Sequence, residues 1–224
     1  MIKMVVFDMA GTTVDEDNVV YKTVQKAINE KGFDVTLEQV LAEGAGKEKL
    51  QAIKSVLEVY AGNSDAALAD DIYKNFVVYL ADAYRDLDVK PQPNAADLFE
   101  QLKQRGILVV LNTGYNEETA KSLLVKLGWE EGKDIDGLVT ATDVAQNRPF
   151  PDMILLAMKR FEITDASQVA KVGDSIIDIE EGRNAGCRYN VGITTGAHTR
   201  AQLESANPDA IIDNLLDLLP VIDK

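Results

Sequence analysis

Short apolar runs, each ending in a polar or glycine-containing turn, recur along the chain. The first run covers Lys3 to Phe7 and ends at Asp8, with Gly11 close behind it. Continuous apolar runs of this length are typical of strands buried on both faces of a parallel sheet. Later runs of the same design cover Ile107 to Leu111, Gln168 to Val172 and Tyr189 to Ile193, with a weaker fifth at Asp136 to Thr140.

Helical patterns separate these runs, and each one is followed by a glycine that suits a helix C-terminus. The patterns cover Ala95 to Arg105, Glu117 to Leu127 and Ile176 to Ala185. Strand, turn, helix and glycine in repeated order predict an α/β fold with a doubly wound parallel sheet. In such sheets, ligands bind beyond the carboxyl ends of the strands.

The alternation stops between about Asn18 and Leu87, where only helical periodicity is found. An all-helical block after the first strand predicts an inserted cap domain, with polar or proline-containing hinges at its two edges. We therefore expect a core domain formed by residues 1–16 and 89–224 and a helical cap domain formed by residues 17–88.

Composition and charge narrow the class of protein. Of 224 residues, 46% are hydrophobic, and 23 Lys plus Arg against 37 Asp plus Glu give a net charge of −14. Such a surface repels nucleic acid and anionic membranes. The charge therefore favours an enzyme that acts on small molecules. A small anionic substrate then requires a locally positive pocket, which a metal ion or clustered cations would supply.

The expected location is the cytoplasm. Cys187 is the only cysteine, no apolar stretch is long enough to span a bilayer, and the first residues do not resemble a signal peptide. We expect Cys187 to be buried as a small apolar residue. The sequence leaves the oligomeric state open, with a homodimer among the options.

Several candidate functional residues fall at the ends of the predicted strands. Asp8 follows the first run, Thr113 and Gly114 follow the run that ends at Leu111, and Asp174 follows the run that ends at Val172, with Asp178 one helical turn later. A hydroxyl and an exposed backbone N–H at a helix start can hold an anionic oxygen. Carboxylates that converge on one edge can hold a hard cation between them.

Arg148 lies in the segment QNRPFPD, where two prolines restrict the loop. A guanidinium held there could neutralise a phosphoryl oxygen, and a surface salt bridge is the ordinary alternative. Together with Asp8, the Thr113–Gly114 pair and the paired acids, it forms a set of groups suited to phosphoryl transfer through an aspartyl intermediate. Thr12, which follows Asp8 in the first turn, is a further candidate for substrate binding.

Four segments, FDMAGTT, LNTG, NRPFPD and VGDSIID, resemble in order the motifs of the haloacid dehalogenase superfamily. The resemblance implies a Rossmann-like core, a requirement for Mg²⁺ and Asp8 as the nucleophile. It also implies that Asp8, the Ala10 carbonyl and Asp174 hold the metal ion, with support from Asp178. Thr113, Gly114 and Arg148 would bind the phosphoryl group.

One position departs from the phosphatases of this superfamily, because Ala10 stands where a second acid normally protonates the leaving alkoxide. The segment DMAGTTVD is instead similar to the signature of phosphonoacetaldehyde hydrolases, in which a cap lysine forms a Schiff base with the substrate aldehyde. Cleavage of a carbon–phosphorus bond in such an adduct needs no protonated oxygen. The resemblance implies Lys47 as this lysine, with Lys49 as the alternative; Glu43 and Leu50 stand near the places of a Met and a His in that family.

The resemblance therefore implies a hydrolase that cleaves the carbon–phosphorus bond of phosphonoacetaldehyde or a related phosphonate. A phosphatase for small phosphate esters and a non-catalytic metabolite-binding protein remain as alternatives. Tyr115 is expected to line the aldehyde side of the site or to be an ordinary packed tyrosine. His198, the only histidine, is expected in a solvated loop without a chemical role.

Overall fold

A computed structural model describes residues 1–223 of the chain, with the side chain of Asp86 left aside. Six parallel strands form the main sheet, and two short strands form an antiparallel pair. In chain order, the strands are β1 (Met4–Asp8), β2 (Val14–Asp15), β3 (Lys90–Pro91), β4 (Leu108–Thr113), β5 (Gly137–Thr140), β6 (Val169–Gly173), β7 (Tyr189–Ile193) and β8 (Ala210–Ile212).

The main sheet has the spatial order β5-β4-β1-β6-β7-β8. Strand β1 pairs with β4 on one side, with Asp8 opposite Asn112, and with β6 on the other, with Phe7 opposite Val172. The carboxyl ends of these three central strands therefore meet at one edge of the sheet. The predicted α/β class and the doubly wound parallel sheet are confirmed.

Ten α-helices are described in residues 1–223. They are α1 (Val19–Asn29), α2 (Leu37–Gly44), α3 (Lys49–Ala61), α4 (Ala66–Asp86), α5 (Ala95–Gln104), α6 (Glu117–Leu127), α7 (Asp152–Arg160), α8 (Ile176–Ala185), α9 (Arg200–Ser205) and α10 (Leu219–Ile222). Helices α6 and α8 have the bounds that the sequence predicts. None of the helices in residues 1–223 combines the length and the apolar character that a membrane crossing requires.

The burial of strand β1 shows that the sheet is covered on both faces. All five of its residues are buried, and their side chains alternate between two separate hydrophobic clusters. Val5 and Phe7 belong to one cluster, whereas Met4 and Val6 belong to the other. A strand buried in this way must lack the polar face that an exposed sheet would show.

The four helices α1 to α4 pack against one another after the first strand. Helix α4 contributes a buried stripe of Ile72, Phe76, Leu80 and Tyr84, which are four residues apart and therefore share one face. The β2–β3 pair joins this helical segment to the main sheet. The division into residues 1–16 with 89–224 and residues 17–88 stays a prediction.

Candidate active site

Three carboxylates lie together at the carboxyl edge of the sheet. Asp8 is the last residue of β1, Asp174 directly follows β6, and Asp178 lies in the first turn of α8. One oxygen from each carboxylate lies within 4.8 Å of the others, and all three side chains are buried. The adjacent β1 and β6 strands bring together residues that are far apart in sequence.

Local hydrogen bonds fix the directions of these carboxylates. Asp174 accepts one bond from the Ala197 N–H at 2.6 Å and another from Thr12 Oγ1 at 3.2 Å. Asp178 accepts a bond from Ser175 Oγ at 2.5 Å. The predicted substrate-binding residue Thr12 thus contacts a carboxylate of the cluster.

Arg148 lies in the middle of the acidic cluster and is buried. Its Nη1 donates to Asp8 Oδ1 at 2.7 Å, and the same nitrogen lies 3.2 Å from Asp178 Oδ1. Its Nε donates to Glu181 at 3.0 Å, and Nη2 donates to the main-chain and side-chain oxygens of Asn112. These bonds fix the guanidinium beside Asp8, and the binding of a phosphoryl oxygen by Arg148 stays a prediction.

A second buried cation accompanies Arg148. Lys171 Nζ donates to Asn112 Oδ1 at 2.6 Å and lies 3.0 Å from Asp178 Oδ1 and 3.4 Å from Glu181 Oε2. Glu181 also accepts two bonds from Asn112 Nδ2. The amide of Asn112 therefore links both cations to the carboxylate of Glu181.

The charges of this buried group do not cancel. Asp8, Asp174, Asp178 and Glu181 carry four negative charges when ionised, and Arg148 and Lys171 carry two positive charges. Burial, followed by the charges of Asp8 and Asp178, raises the pKa of Asp174 to about 8. A divalent cation would balance the two remaining negative charges, and carboxylate oxygens are the ligands that Mg²⁺ prefers. The residues therefore fit a magnesium site.

The other residues predicted for the metal and phosphoryl sites lie at the same edge. Ala10 lies in the turn between β1 and β2, and its carbonyl as a metal ligand stays a prediction. Thr113 ends β4, and its Oγ1 accepts a bond from the Tyr115 N–H at 3.2 Å. That bond uses an oxygen lone pair, so the hydroxyl hydrogen can still be donated to a phosphoryl oxygen.

The loop between α2 and α3 approaches this edge closely. Gly46 has a φ of +73°, and a Cβ atom at this position would overlap Ser175 Oγ and Ile177 Cγ2. A Cβ atom on Gly114 would lie 2.9 Å from the Lys47 carbonyl oxygen. Both positions accept only glycine at this separation, so the pair lets the helical segment contact the sheet edge.

Lys47 of this loop and Lys49, the first residue of α3, direct their amines to different partners. Lys47 Nζ donates to Ser55 Oγ at 3.1 Å and lies 3.9 Å from Glu43 Oε2. Lys49 is 6% exposed; its Nζ donates to the Lys47 carbonyl at 2.6 Å and lies 5.2 Å from the centre of the Tyr115 ring. Burial lowers the pKa of Lys49, although the charge of Asp8 acts in the opposite direction.

A family model described as haloacid dehalogenase-like hydrolase matches residues 5–191. The chain is a haloacid dehalogenase-like hydrolase. This family assignment agrees with the sequence motifs and with the acidic cluster at the edge of the sheet. It also confirms that the chain is related to enzymes that catalyse hydrolysis.

Two relatives of this hydrolase are named phosphonoacetaldehyde hydrolase. The protein from Parabacteroides distasonis is 34% identical over 214 residues, which cover 88% of this chain and 78% of the relative. The protein from Hahella chejuensis is 30% identical over 208 residues, which cover 88% of this chain and 69% of the relative. A crystal structure of a phosphonoacetaldehyde hydrolase-like protein from Oleispira antarctica is 26% identical, with a TM-score of 0.84 and coverage of 99% of this chain and 91% of the other.

A buried acid and two tyrosines of the hydrolase lie beside Lys49. Tyr84 OH donates to Glu16 and lies 3.2 Å from Tyr115 OH. Burial raises the pKa of Glu16 to about 7, against the opposing effects of the Tyr84 hydrogen bond and the Lys49 charge. Tyr115 is therefore both packed and part of a polar cluster.

The expectation that His198 lies in a solvated loop was wrong. The imidazole is buried: its Nδ1 accepts a bond from the Ile176 N–H at 3.0 Å, and its Nε2 lies 3.3 Å from the Leu41 carbonyl. It therefore connects the start of α8 to the Leu41 carbonyl of α2. Cys187 is buried, as expected.

Sequence reasoning missed four polar residues of the site. A buried lysine inside an otherwise apolar strand, as in VAKVG, is a signal that could have identified one of them, because a charge there requires partners. A single acid in a helix or turn gives no comparable signal. The four residues are Glu16, Asn112, Lys171 and Glu181.

Proposed function

We propose that the hydrolase cleaves the carbon–phosphorus bond of phosphonoacetaldehyde or a related carbonyl phosphonate. In this proposal, Asp8 attacks phosphorus and Lys49 forms a Schiff base with the carbonyl carbon. The observation that carries the proposal is the buried amine of Lys49, which donates to the Lys47 carbonyl where that carbonyl contacts Gly114 at the sheet edge, and whose pKa is lowered by burial. The names of the two relatives agree with this substrate class.

Ala10 supports a reaction that needs no acid at the leaving oxygen. Its methyl side chain cannot donate a proton to an alkoxide, which a phosphate ester would release. A carbon leaving group can place its electron pair in an adjacent iminium instead. Alanine at position 10 therefore favours a substrate that first becomes attached to a lysine.

Lys49 has the properties that Schiff-base formation requires. A neutral amine is the nucleophile, and burial favours the neutral form of a lysine. The lowered pKa of Lys49 increases the neutral fraction at neutral pH. Lys47, by contrast, directs its amine to Ser55 and Glu43. Its predicted role stays a prediction, and Lys49 is the better-supported choice.

The proposed reaction balances in four steps. The Lys49 amine condenses with the carbonyl and releases water, which gives a protonated imine. An oxygen of Asp8 then bonds to phosphorus, the carbon–phosphorus bond breaks, and its electrons form an enamine on Lys49. Water hydrolyses the acyl phosphate on Asp8 and releases phosphate. The enamine takes a proton at carbon, and a second water molecule releases the carbonyl product and the free lysine.

The surrounding residues prepare Asp8 for the attack. Arg148 opposes the effect of burial, which raises the pKa of Asp8, and so favours its ionised, nucleophilic form. Thr113 and the Gly114 N–H are proposed to orient the phosphoryl oxygens. Mg²⁺, held by Asp8, Asp174 and the Ala10 carbonyl, would supply positive charge for the phosphoryl group.

The test compares substrates and two lysine variants. With Mg²⁺, the parent enzyme should release phosphate and acetaldehyde in equal amounts from phosphonoacetaldehyde. Lys49→Gln should lose about 10³-fold or more in kcat/KM, whereas the matched control Lys47→Gln should stay within about threefold. Efficient hydrolysis of small phosphate esters with no cleavage of phosphonoacetaldehyde would replace the proposal with a phosphatase. Full turnover in Lys49→Gln would rule out Schiff-base formation by Lys49.

A further inference from the structure

A cavity of about 580 Å³ lies between α4 and the first turns of α6. Its wall on the α4 side is mainly apolar and includes Tyr73, Phe76, Val77 and Leu80. The opposite wall carries small polar side chains such as Thr119 and Ser122. A volume of this size is ordinary for a small-molecule site and far larger than one water molecule needs.

One end of the cavity is formed by residues of the proposed active site, including the lysine that is proposed to bind the carbonyl carbon. Lys49, Gly114 and Tyr115 all line it. Asp8 and Asp174 are not among its lining residues. The cavity therefore begins at the amine of Lys49 and extends away from the acidic cluster.

The charged side chains of the cavity do not favour an ion of either sign. Glu48 and Glu118 line it together with Arg85 and Lys126, so apart from Lys49, whose amine forms the proposed Schiff base, two acids stand beside two bases. Arg85 forms an ion pair with Asp82, and Lys126 donates to the Leu87 carbonyl at 3.0 Å. An uncharged, apolar group matches this surface best.

We propose that this cavity binds an apolar substituent on the carbonyl carbon of the substrate. The inference rests on the proposed function: once that carbon is bonded to Lys49 Nζ and its phosphonomethyl group points to Asp8, the remaining substituent is directed away from the acids. In phosphonoacetaldehyde this substituent is a single hydrogen atom, which leaves the cavity unused. The substrate class is therefore a ketone phosphonate, R–CO–CH₂–PO₃²⁻, in which R is an alkyl or aromatic group.

A series of ketone phosphonates tests the proposal without any variant. Methyl, propyl and pentyl ketones have similar intrinsic reactivity, so differences in kcat/KM report on the cavity. Each methylene group that becomes buried should raise kcat/KM by about fourfold, so the four methylenes that separate the pentyl from the methyl ketone should raise it by about 250-fold when all four are buried and by about 16-fold when two are. Phosphonoacetaldehyde serves as the reference for the chemistry itself.

Two adjacent valines of α4 provide a matched pair of variants. Val77 lines the cavity and is 39% exposed, whereas Val78 is 58% exposed and is not among the lining residues. Val77→Trp should lower kcat/KM for the pentyl ketone by about tenfold while changing that for phosphonoacetaldehyde by less than about twofold. Val78→Trp should change neither value.

The outcomes separate this proposal from the proposed function. If phosphonoacetaldehyde is cleaved but kcat/KM is flat or falls from the methyl to the pentyl ketone, the substituent site is refuted and the chemistry stands. If the parent enzyme cleaves neither the aldehyde nor any ketone, both proposals fail. An equal loss with Val77→Trp and Val78→Trp would also contradict the assignment of the cavity.

Discussion

Glu16 provides a test of the electrostatics beside Lys49. The side chain is 3% exposed, accepts a hydrogen bond from Tyr84, and has its pKa raised from 4.5 to about 7, chiefly by burial. Because the pKa in the folded state exceeds that in the unfolded state, the folded protein binds this proton more tightly. The free energy of unfolding must then fall as the pH rises from about 4.5 to about 7.

The size of this effect follows from the two pKa values. Between pH 5 and pH 8, a shift from 4.5 to about 7 removes about 2.5 kcal/mol of stability. Glu16→Gln keeps an oxygen that can accept the Tyr84 bond and removes the titration. The variant should therefore gain about 2.5 kcal/mol relative to the parent on going from pH 5 to pH 8.

Urea unfolding followed by circular dichroism at the two pH values measures this difference. Glu58→Gln is the control, because Glu58 is an exposed glutamate of α3. It should leave the pH dependence of the parent unchanged. A difference between Glu16→Gln and the parent that is the same at pH 5 and pH 8 would refute the reasoning, because a constant difference contains no titration of Glu16.

Four further changes test the acidic site and its contacts. Asp8→Asn should lower turnover by about 10³-fold or more with an unchanged circular dichroism spectrum; substantial residual activity would exclude it as the nucleophile. Mg²⁺ should raise the Tm of the parent, and chelation of the metal should abolish its activity. Without metal, Asp174→Asn should have a higher Tm than the parent, and added Mg²⁺ should change the Tm of this variant much less. Lys171→Met should cost about 3 kcal/mol or more in urea unfolding, since it leaves buried carboxylates unpaired; a neutral effect would contradict the ion pairs. Gly46→Ala should lower kcat/KM through displacement of the loop that precedes Lys49, and an unchanged value would contradict the close contact.

The strands of the core could be predicted from the sequence because each of them is an uninterrupted apolar run. Strands β1, β4, β6 and β7 lie within one or two residues of the predicted runs. Strand β8 was not predicted, since Ala210–Ile212 has three residues and only Ile212 is buried. Three residues are too few to show a hydrophobic period. The extended conformation of this segment is instead stabilised by its pairing with β7.

The three acids of the carboxylate cluster, Asp8, Asp174 and Asp178, were predictable because they follow apolar strands that must end at one edge. The direction of a side chain on a loop was not. Lys47 lies in the loop before α3, whereas Lys49 is the first residue of α3, so the directions of their side chains are set by different parts of the backbone. Which one faces the acids depends on where the helix begins and how the loop at Gly46 packs. His198 shows the same dependence, because its imidazole contacts the Leu41 carbonyl of α2.

The most direct measurement for the central claim is reduction of the enzyme and substrate with borohydride, followed by mapping of the modified peptide. With phosphonoacetaldehyde and Mg²⁺, the parent should gain one ethyl group on Lys49, left after phosphate is lost. Lys47→Arg should gain the same group, and Lys49→Arg should gain none. Phosphate release by the parent without any borohydride-dependent modification, or modification of Lys47 alone, would contradict the account.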